Sequence, residues 1–252
     1  MDKIWLKEYE KGVAHEINPD QYSSLVELAE EAFSKFRNKI AFRNRGESLT
    51  FKQVDEYSNA IASFLINHWR LKKGDRVGIM MPNLLQYPVI LWGILRAGLV
   101  VVNINPLYTP SELKHVLIDS GAKGLIVLAN FAYTVQKVLP ECPEVNVMIT
   151  EIGDLFSFFK KHIVNFVVKK VKKIVPAYTI LHHTIFLDAI KLGLEQSYQV
   201  FPIRNQDIAF LQYTGGTTGG SKGAMLTHRN LIANILQAKT WVMPSLNQEP
   251  KG

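Results

Sequence analysis

This sequence predicts an α/β fold in which a parallel sheet is covered by helices on both faces, and three observations carry the prediction. Short apolar runs, among them Val77-Gly-Ile-Met-Met81, Leu99-Val-Val-Val-Asn-Ile104 and Gly124-Leu-Ile-Val-Leu128, lack the polar alternation of a half-exposed strand and suit strands buried on both sides. Between them lie stretches whose apolar residues recur at steps of three and four, the period of a helix that packs one face. Strand and helix alternate along the chain, the order that crossover connections between parallel strands require. In such sheets binding chemistry gathers at the loops beyond the carboxyl ends of the strands.

Each element has its own signal. Ser24-Leu-Val-Glu27 reads as a capping box ahead of a first helix with Leu25, Leu28, Ala32, Phe33 and Phe36 on one face. A hairpin-like stretch surrounds Arg45-Gly46-Glu47. Thr50-Phe-Lys-Gln53 is a second capping box, opening a helix that runs through Val54, Tyr57, Ile61, Phe64 and Leu65 to about Trp69. Lys72-Lys-Gly-Asp75 turns the chain into the strand 77–81, and a helix over 84–97, with Pro88 in its first turn, leads to the strand 99–104. Thr109-Pro-Ser-Glu112 joins an N-cap, a proline at the first helical position and a capping-box acid, and Gly121 ends that helix. The strand 124–128, a helix near 131–138 and a strand near 145–150 follow. Beyond a basic segment, Asp207-Ile-Ala-Phe-Leu-Gln-Tyr213 forms a new strand, and Thr227 caps a helix with Leu231, Ile232, Ile235 and Leu236 on one side. The tail from Pro244 to Gly252 reads as having no element of its own.

Composition narrows the class. At 252 residues, 47% hydrophobic and 20% charged, the chain has the make-up of a globular protein with one large domain or two small ones. A lone cysteine, Cys142, leaves no intrachain disulfide to form and fits a reducing compartment, where a buried thiol serves as a small apolar side chain. Met1 to Glu8 lacks the apolar core of a signal peptide, and no apolar run reaches the ~18 residues of a membrane span, so a cytoplasmic location is expected. The net charge of +7 is local: Lys160, Lys161, Lys169, Lys170, Lys172 and Lys173 stand between Leu155 and Leu187 with no acid among them. Without a recognition motif or interleaved stacking aromatics, that patch does not predict a nucleic-acid partner.

The densest chemistry lies at Tyr213-Thr-Gly-Gly-Thr-Thr-Gly-Gly-Ser-Lys222. Gly215, Gly216, Gly219 and Gly220 let backbone amides turn toward an anion without Cβ obstruction, and Thr214, Thr217, Thr218 and Ser221 add hydroxyl donors. Lys222 supplies a point charge. A Walker A loop needs glycine before the lysine and a hydroxyl after it, whereas Ser221 precedes Lys222 and Gly223 follows. No frame through residues 215–220 has the glycine spacing of a dinucleotide fingerprint. The loop therefore reads as a nucleotide-phosphate cradle of another kind.

The run Leu211-Gln-Tyr-Thr-Gly-Gly-Thr-Thr-Gly-Gly-Ser-Lys222 resembles the phosphate-loop signature of the adenylate-forming (AMP-forming) acyl-CoA ligase superfamily. Leu71-Lys-Lys-Gly-Asp-Arg-Val77, Met81-Pro-Asn-Leu-Leu-Gln-Tyr-Pro88, Leu95-Arg-Ala-Gly-Leu-Val-Val-Val-Asn-Ile-Asn-Pro106 and Leu107-Tyr-Thr-Pro-Ser-Glu-Leu113 agree with it. Together with Ile4-Trp-Leu and Glu16-Ile-Asn-Pro-Asp20, these segments are most similar to the bacterial long-chain fatty acyl-CoA ligases, over residues 3–240. The resemblance implies the layered αβαβα-type N-terminal domain of that superfamily, with residues 1–252 its N-terminal portion. It also implies a reaction in which a fatty carboxylate attacks ATP to give acyl-AMP and pyrophosphate, and coenzyme A then displaces AMP. Thr214 and Lys222 take catalytic roles in that reading, and the nucleotide contacts run through Tyr213, Thr214, Gly215, Gly216, Thr217, Thr218, Gly219, Gly220, Ser221, Lys222, Gly223 and Ala224, with Mg²⁺ assisting and no protein metal ligand among these residues. Tyr213 stays open between flanking the nucleotide and plugging the core. Resembling ligases continue for roughly as long again and carry a C-terminal lid, so the isolated chain is expected to bind ATP weakly and not to turn over; the resemblance allows a homodimer of the full-length protein.

The segment 153–178 is the second notable stretch. From Ser157 to Val175 it mixes bulky apolar residues with the six lysines over about five helical turns, an amphipathic cationic helix suited to an anionic membrane surface or to packing on its own domain. The resembling ligases are peripheral membrane enzymes, which implies association with the inner face of the cell membrane and a long-chain fatty acid as partner. Adjacent His182 and His183 point different ways and have no further ligand at metal spacing, and His228 reads as a helix-start residue. Two other readings stand beside the leading one: a ligase of the same superfamily acting on another carboxylate, and a non-catalytic product that binds nucleotide or membrane only.

Overall fold

The computed structural model describes residues 3–214 and 221–246. A two-stranded hairpin, β1 (Ile40–Asn44) and β2 (Glu47–Thr50), follows helix α1 (Leu25–Lys35). Its turn places Arg45 and Gly46 at positive φ (51° and 79°), as a two-residue turn matched to the strand twist requires. Helix α2 (Phe51–Asn67) leads into the main sheet, whose first strand is β3 (Arg76–Met80). Then come α3 (Gln86–Arg96), β4 (Val100–Asn103), α4 (Pro110–Ser120), β5 (Ala122–Leu128), α5 (Ala132–Val138) and β6 (Asn146–Thr150). The chain continues through α6 (Phe158–Phe166), β7 (His183–Ile185), α7 (Phe186–Leu194), β8 (Ile208–Thr214), β9 (Lys222–Thr227) and α8 (His228–Leu246).

The seven-stranded sheet has the order β7-β6-β5-β3-β4-β8-β9. All its pairings are parallel except that of β9, which runs back antiparallel along β8. The chain passes from β3 to β4 on one side and then returns across β3 to β5 on the other. Right-handed crossovers put α3 and α4 on opposite faces as a result. Side chains confirm the division. Val77, Ile79, Val101, Ile126 and Met148 join α1, α2, α3 and α7 in one core cluster, whereas Met80, Val102, Leu125, Val127, Val147 and Ile149 pack with α4 and α5 in the other. Alternate residues of each strand thus serve different cores, which is why the strands read as continuous apolar runs.

The caps explain where the helices begin. Thr50 and Gln53, and likewise Thr109 and Glu112, satisfy each other's backbone N–H groups in complete capping boxes. Gly121 ends α4 in the left-handed region at φ 58°. The expected box at Ser24 forms only half. The Ser24 hydroxyl accepts from Glu27 N, but the Glu27 carboxylate reaches past Ser24 to the N–H and hydroxyl of Ser23, at 2.6 and 2.7 Å.

Three expectations are corrected. Helix α8 continues through Pro244 to Leu246, so the tail has structure over its first residues. Of the four apolar residues expected on one side of α8, Ile232 and Leu236 are buried and Leu231 packs partly buried on the core, while Ile235 faces solvent. The basic helix is α-helical from Phe158 to Phe166 and passes into a π-helical turn at Val167–Val171, ending before Lys173, whose φ is +49°. The strands β7 and β9 and the helix α7 carried no sequence expectation.

Helix α2 lies between α3 and α7, and glycines set both contacts. A Cβ built on Gly193 of α7 would stand 1.9 Å from the Ala60 carbonyl oxygen, and one on Gly93 of α3 would stand 2.5 Å from the Ile61 side chain. Backbone cannot yield as a flexible side chain can. Gly193→Ala is therefore expected to destabilise the chain by about 2 kcal/mol despite alanine's better helix propensity, read as a lower urea midpoint at unchanged slope.

Candidate functional site

Strand β8 ends at the carboxyl rim of the sheet, and β9 starts from the far side of the glycine-rich loop. Thr214 and Lys222 are register partners across this hairpin, both exposed. A hydroxyl and a cation therefore face each other at the base of the loop. Gly215, Gly216, Thr217, Thr218, Gly219 and Gly220 lie outside the described residues. Ser221 and Gly223 are half-buried, and Ala224 is exposed along β9.

Tyr213 is buried, and its hydroxyl donates to Asp119 Oδ2 on α4 at 2.6 Å. Burial, reinforced by that carboxylate, pushes the phenol well above its ordinary pKa. Of the two readings left open for Tyr213, the geometry favours the core plug. One turn earlier on α4, His115 Nε2 lies 2.8 Å from the Ser221 carbonyl oxygen and donates to it. Behind the loop, Tyr87 OH donates to Asn103 Oδ1 at 2.9 Å, and Asn103 Nδ2 donates to Gln212 Oε1 at 3.1 Å. This chain of side chains ties the first turn of α3 to the ends of β4 and β8. None of His115, Asp119, Tyr87 or Asn103 had been assigned a role from sequence. Tyr87 and Asn103 stand in segments that carried the family resemblance, but His115 and Asp119 look like ordinary polar positions of an amphipathic helix.

His228 begins α8, as its place after the cap Thr227 suggested, but it is not a surface residue. It is 2% exposed, and its Nδ1 accepts the N–H of Leu25 at 3.1 Å. Burial pushes its pKa down to about 4 from the ordinary 6.5, so the imidazole is neutral with its proton on Nε2. Beside it, Arg229 donates to both carboxylate oxygens of Asp20, at 2.8 and 3.0 Å, and Asn205 donates to the same carboxylate at 2.9 Å. The start of α8 is thereby tied to the segment ahead of α1. His183, of the pair considered for metal, bonds through Nδ1 to the Ile180 carbonyl at 2.7 Å.

The basic segment presents a second surface. Val164 packs against the core, and Asn165 Oδ1 accepts from Gly153 N at 2.8 Å, so this side of α6 faces the domain. Phe158, Phe159, Ile163 and Phe166 are 69%, 80%, 62% and 59% exposed, on the opposite side. The larger part of the apolar face thus points away from the protein. Lys160 pairs with Glu47 and Lys169 with Glu151, which tie the segment to the hairpin and to the end of β6. Lys161, Lys170, Lys172 and Lys173 form no ion pair among the described residues. No described helix is long and apolar enough to cross a membrane.

The chain as a whole, with its β8–β9 hairpin based on Thr214 and Lys222, has relatives among known proteins. Residues 29–250 match the family described as AMP-binding enzyme. The chain belongs to this family. Among curated relatives, the long-chain-fatty-acid–CoA ligase of Salmonella typhimurium is 51% identical over 247 residues, covering 98% of this chain and 44% of the relative. That of Escherichia coli O157:H7 is 49% identical with the same coverage, and that of Bacillus subtilis is 34% identical over 95% of this chain and 42% of its own length. The chain thus spans less than half the length of these relatives. Among solved structures, a long-chain-fatty-acid-CoA ligase from Archaeoglobus fulgidus superposes with a TM-score of 0.68 at 28% identity, over 92% of this chain and 42% of that one. An anthranilate CoA ligase in complex with anthranoyl-AMP also reaches 0.68, at 22% identity over 84% of this chain and 37% of that one, and shows the shared fold. The parallel sheet expected of an AMP-binding enzyme is present.

The buried histidine gives this AMP-binding enzyme a pH signature. Its pKa is lower folded than unfolded, so its contribution is complete above pH 6.5 and is lost as pH falls toward about 4. Between pH 7 and 5 the chain is expected to lose about 2 kcal/mol through this group. Asp154, whose pKa burial raises, works in the opposite sense, so the comparison is made between the wild type and His228→Leu. Urea denaturation at the two pH values should show the extra loss in the wild type only.

Proposed function

We propose that this chain is the ATP-engaging portion of a ligase that activates long-chain fatty acids and passes them to coenzyme A. The observation that carries this reading is the paired base of the glycine-rich hairpin, Thr214 opposite Lys222, in a chain about half identical to long-chain-fatty-acid–CoA ligases. In the first step the carboxylate oxygen attacks the α-phosphorus of ATP, the bond to the β-phosphate oxygen breaks, and pyrophosphate leaves. The coenzyme A thiol, losing its proton, then attacks the acyl carbon and releases AMP.

This chain's part is electrostatic and positional. Two anions meet in the first step, and negative charge grows on the departing pyrophosphate. Lys222 would stabilise that charge directly, while Thr214, Thr217, Thr218 and the loop amides orient the phosphates. Ser221, Gly223 and Ala224 complete the contact strip along the start of β9. Mg²⁺ is expected to travel with ATP. No group of three or more His, Cys, Asp or Glu suited to a metal occurs among the described residues, and Asp119 is committed to Tyr213, so these residues do not form a cage for it.

To test the reading, this chain is joined to the remaining length of the Salmonella typhimurium relative, and fatty-acid-dependent exchange of pyrophosphate into ATP is measured. Long-chain acids should exceed short-chain and aromatic acids by at least about tenfold. Lys222→Ala should lower exchange by about a hundredfold, as loss of one group aimed at developing charge does. Equal exchange with benzoate and a long-chain acid would sink the substrate assignment, and an unaffected Lys222→Ala would sink the role of the loop.

The aromatic face of α6 and the unpaired lysines that follow it support a second element of the proposal, docking on the anionic inner face of the cell membrane, where the acyl substrate partitions. Binding to phosphatidylglycerol vesicles should fall about a hundredfold on replacing Lys170, Lys172 and Lys173 by glutamine, at roughly 1 kcal/mol per lysine. Phe158→Ser with Phe159→Ser should weaken binding to neutral as well as anionic vesicles. Sedimentation unchanged by either set of substitutions would refute the docking face.

A further inference from the structure

Helix α4 touches both ends of the glycine-rich loop. Asp119 Oδ2 accepts the Tyr213 hydroxyl at 2.6 Å just before the loop, and His115 Nε2 donates to the Ser221 carbonyl at 2.8 Å just after it. The two residues are four apart on one helix, so their side chains lie on the same face, one turn above the other. Tyr213 and Ser221 are eight positions apart in sequence, with four glycines between them. Holding Tyr213 and Ser221 on one helix also sets the spacing of their neighbours Thr214 and Lys222, the kind of preorganisation that lowers the cost of binding.

We propose that His115 and Asp119 are positioning residues that clamp the two ends of the loop and so hold Lys222 opposite Thr214 for the nucleotide phosphates. The proposal rests on reading the loop as the ATP cradle, and it adds the machinery that holds the cradle in place. Gly223 belongs to the same device. It is the register partner of Tyr213, and a Cβ there would stand 3.0 Å from the Tyr213 ring, so any larger residue would press on the phenol that reaches Asp119. His115 donates through Nε2, the nitrogen that faces the Ser221 carbonyl oxygen. On the other side, the raised pKa of Tyr213 keeps the phenol a donor through the neutral range.

The test uses the 252-residue chain. Binding of a fluorescent ATP analogue (mant-ATP) with Mg²⁺ is measured for the wild type, His115→Ala, His115→Gln, Asp119→Ala and Lys222→Ala. Amide exchange at Ser221 and Lys222 is followed by ¹⁵N NMR in the same set. His115 is exposed, so His115→Ala should leave Tm unchanged while weakening mant-ATP about fivefold to tenfold, the worth of one hydrogen bond. Exchange at Ser221 and Lys222 should quicken in that variant. His115→Gln, whose amide can donate to the same carbonyl, should restore affinity to within about twofold. Asp119→Ala should weaken binding at least as much as His115→Ala. The clamp is refuted if His115→Ala leaves both affinity and exchange unchanged, or if His115→Gln fails to restore them. The nucleotide reading fails separately, through a Lys222→Ala variant that binds mant-ATP like the wild type or a wild type that binds none. In that event amide exchange alone decides whether α4 holds the loop.

Discussion

Burial of both faces of the parallel sheet is the constraint on which the rest of this structure depends. Strands β3 to β6 have almost no solvent face, so successive side chains must be apolar whichever way they point, and each face needs its own helices. Once α3 and α4 lie on opposite faces, the turn of the chain across β3 is forced. The carboxyl ends of β3, β4 and β8 then form one rim. The glycine-rich hairpin, the Tyr87–Asn103–Gln212 chain and the contacts from α4 all stand on that rim. Its position owes nothing to the loop's own sequence. It follows from β8 pairing with β4, a contact between residues more than a hundred positions apart.

What could be read in advance follows the same division between local and distant causes. The capping boxes at Thr50 and Thr109 and the glycine stop at 121 are decided within four residues, and sequence suffices for them. The box at Ser24 came out one residue displaced because Glu27 had a second hydroxyl and N–H to choose, those of Ser23. The short strand β7 exists because it can pair with β6, and β9 because it can pair with β8; neither has a pattern of its own to announce it. Histidine shows the limit most clearly. His228 could be placed at a helix start from Thr227 alone, yet its burial and its bond to Leu25 N depend on a residue 203 positions away. Composition suggested a phosphate-binding loop, but gave no sign that α4 contacts Tyr213 and Ser221 on either side of it, since a histidine and an aspartate at helical spacing are common on solvent faces.

The two surfaces that define the proposed activity share the sheet as a common ruler. The hairpin follows β8, and α6 follows β6 at the same rim, with β5, β3 and β4 between. Four strand spacings separate them, about 19 Å across the sheet. Lys169 is tied to Glu151 at the end of β6, and Lys160 to Glu47 on the hairpin β1–β2, so the basic segment is braced at two points rather than hung from a loop. The proposed membrane face and the proposed nucleotide loop thus stand at a fixed separation on the same sheet.

That bracing also decides how the charges of α6 divide their work. Lys160 and Lys169 are already neutralised by carboxylates and add little to a long-range field. Lys170, Lys172 and Lys173 are exposed at the end of the segment, beyond the apolar face formed by Phe158, Phe159, Ile163 and Phe166. The attraction of three lysines to an anionic surface is about 3 kcal/mol and decays within a Debye length of about 8 Å at physiological salt. Burying two phenylalanine side chains in the lipid interface contributes a similar amount, is short-ranged and is insensitive to moderate salt. In the proposed docking the lysines therefore govern capture and orientation, and the aromatic face governs how long the protein stays. A helix with its aromatic face turned inward would keep the first property and lose the second, so the outward turn of Phe158 and Phe159 is the observation on which the docking proposal rests most heavily.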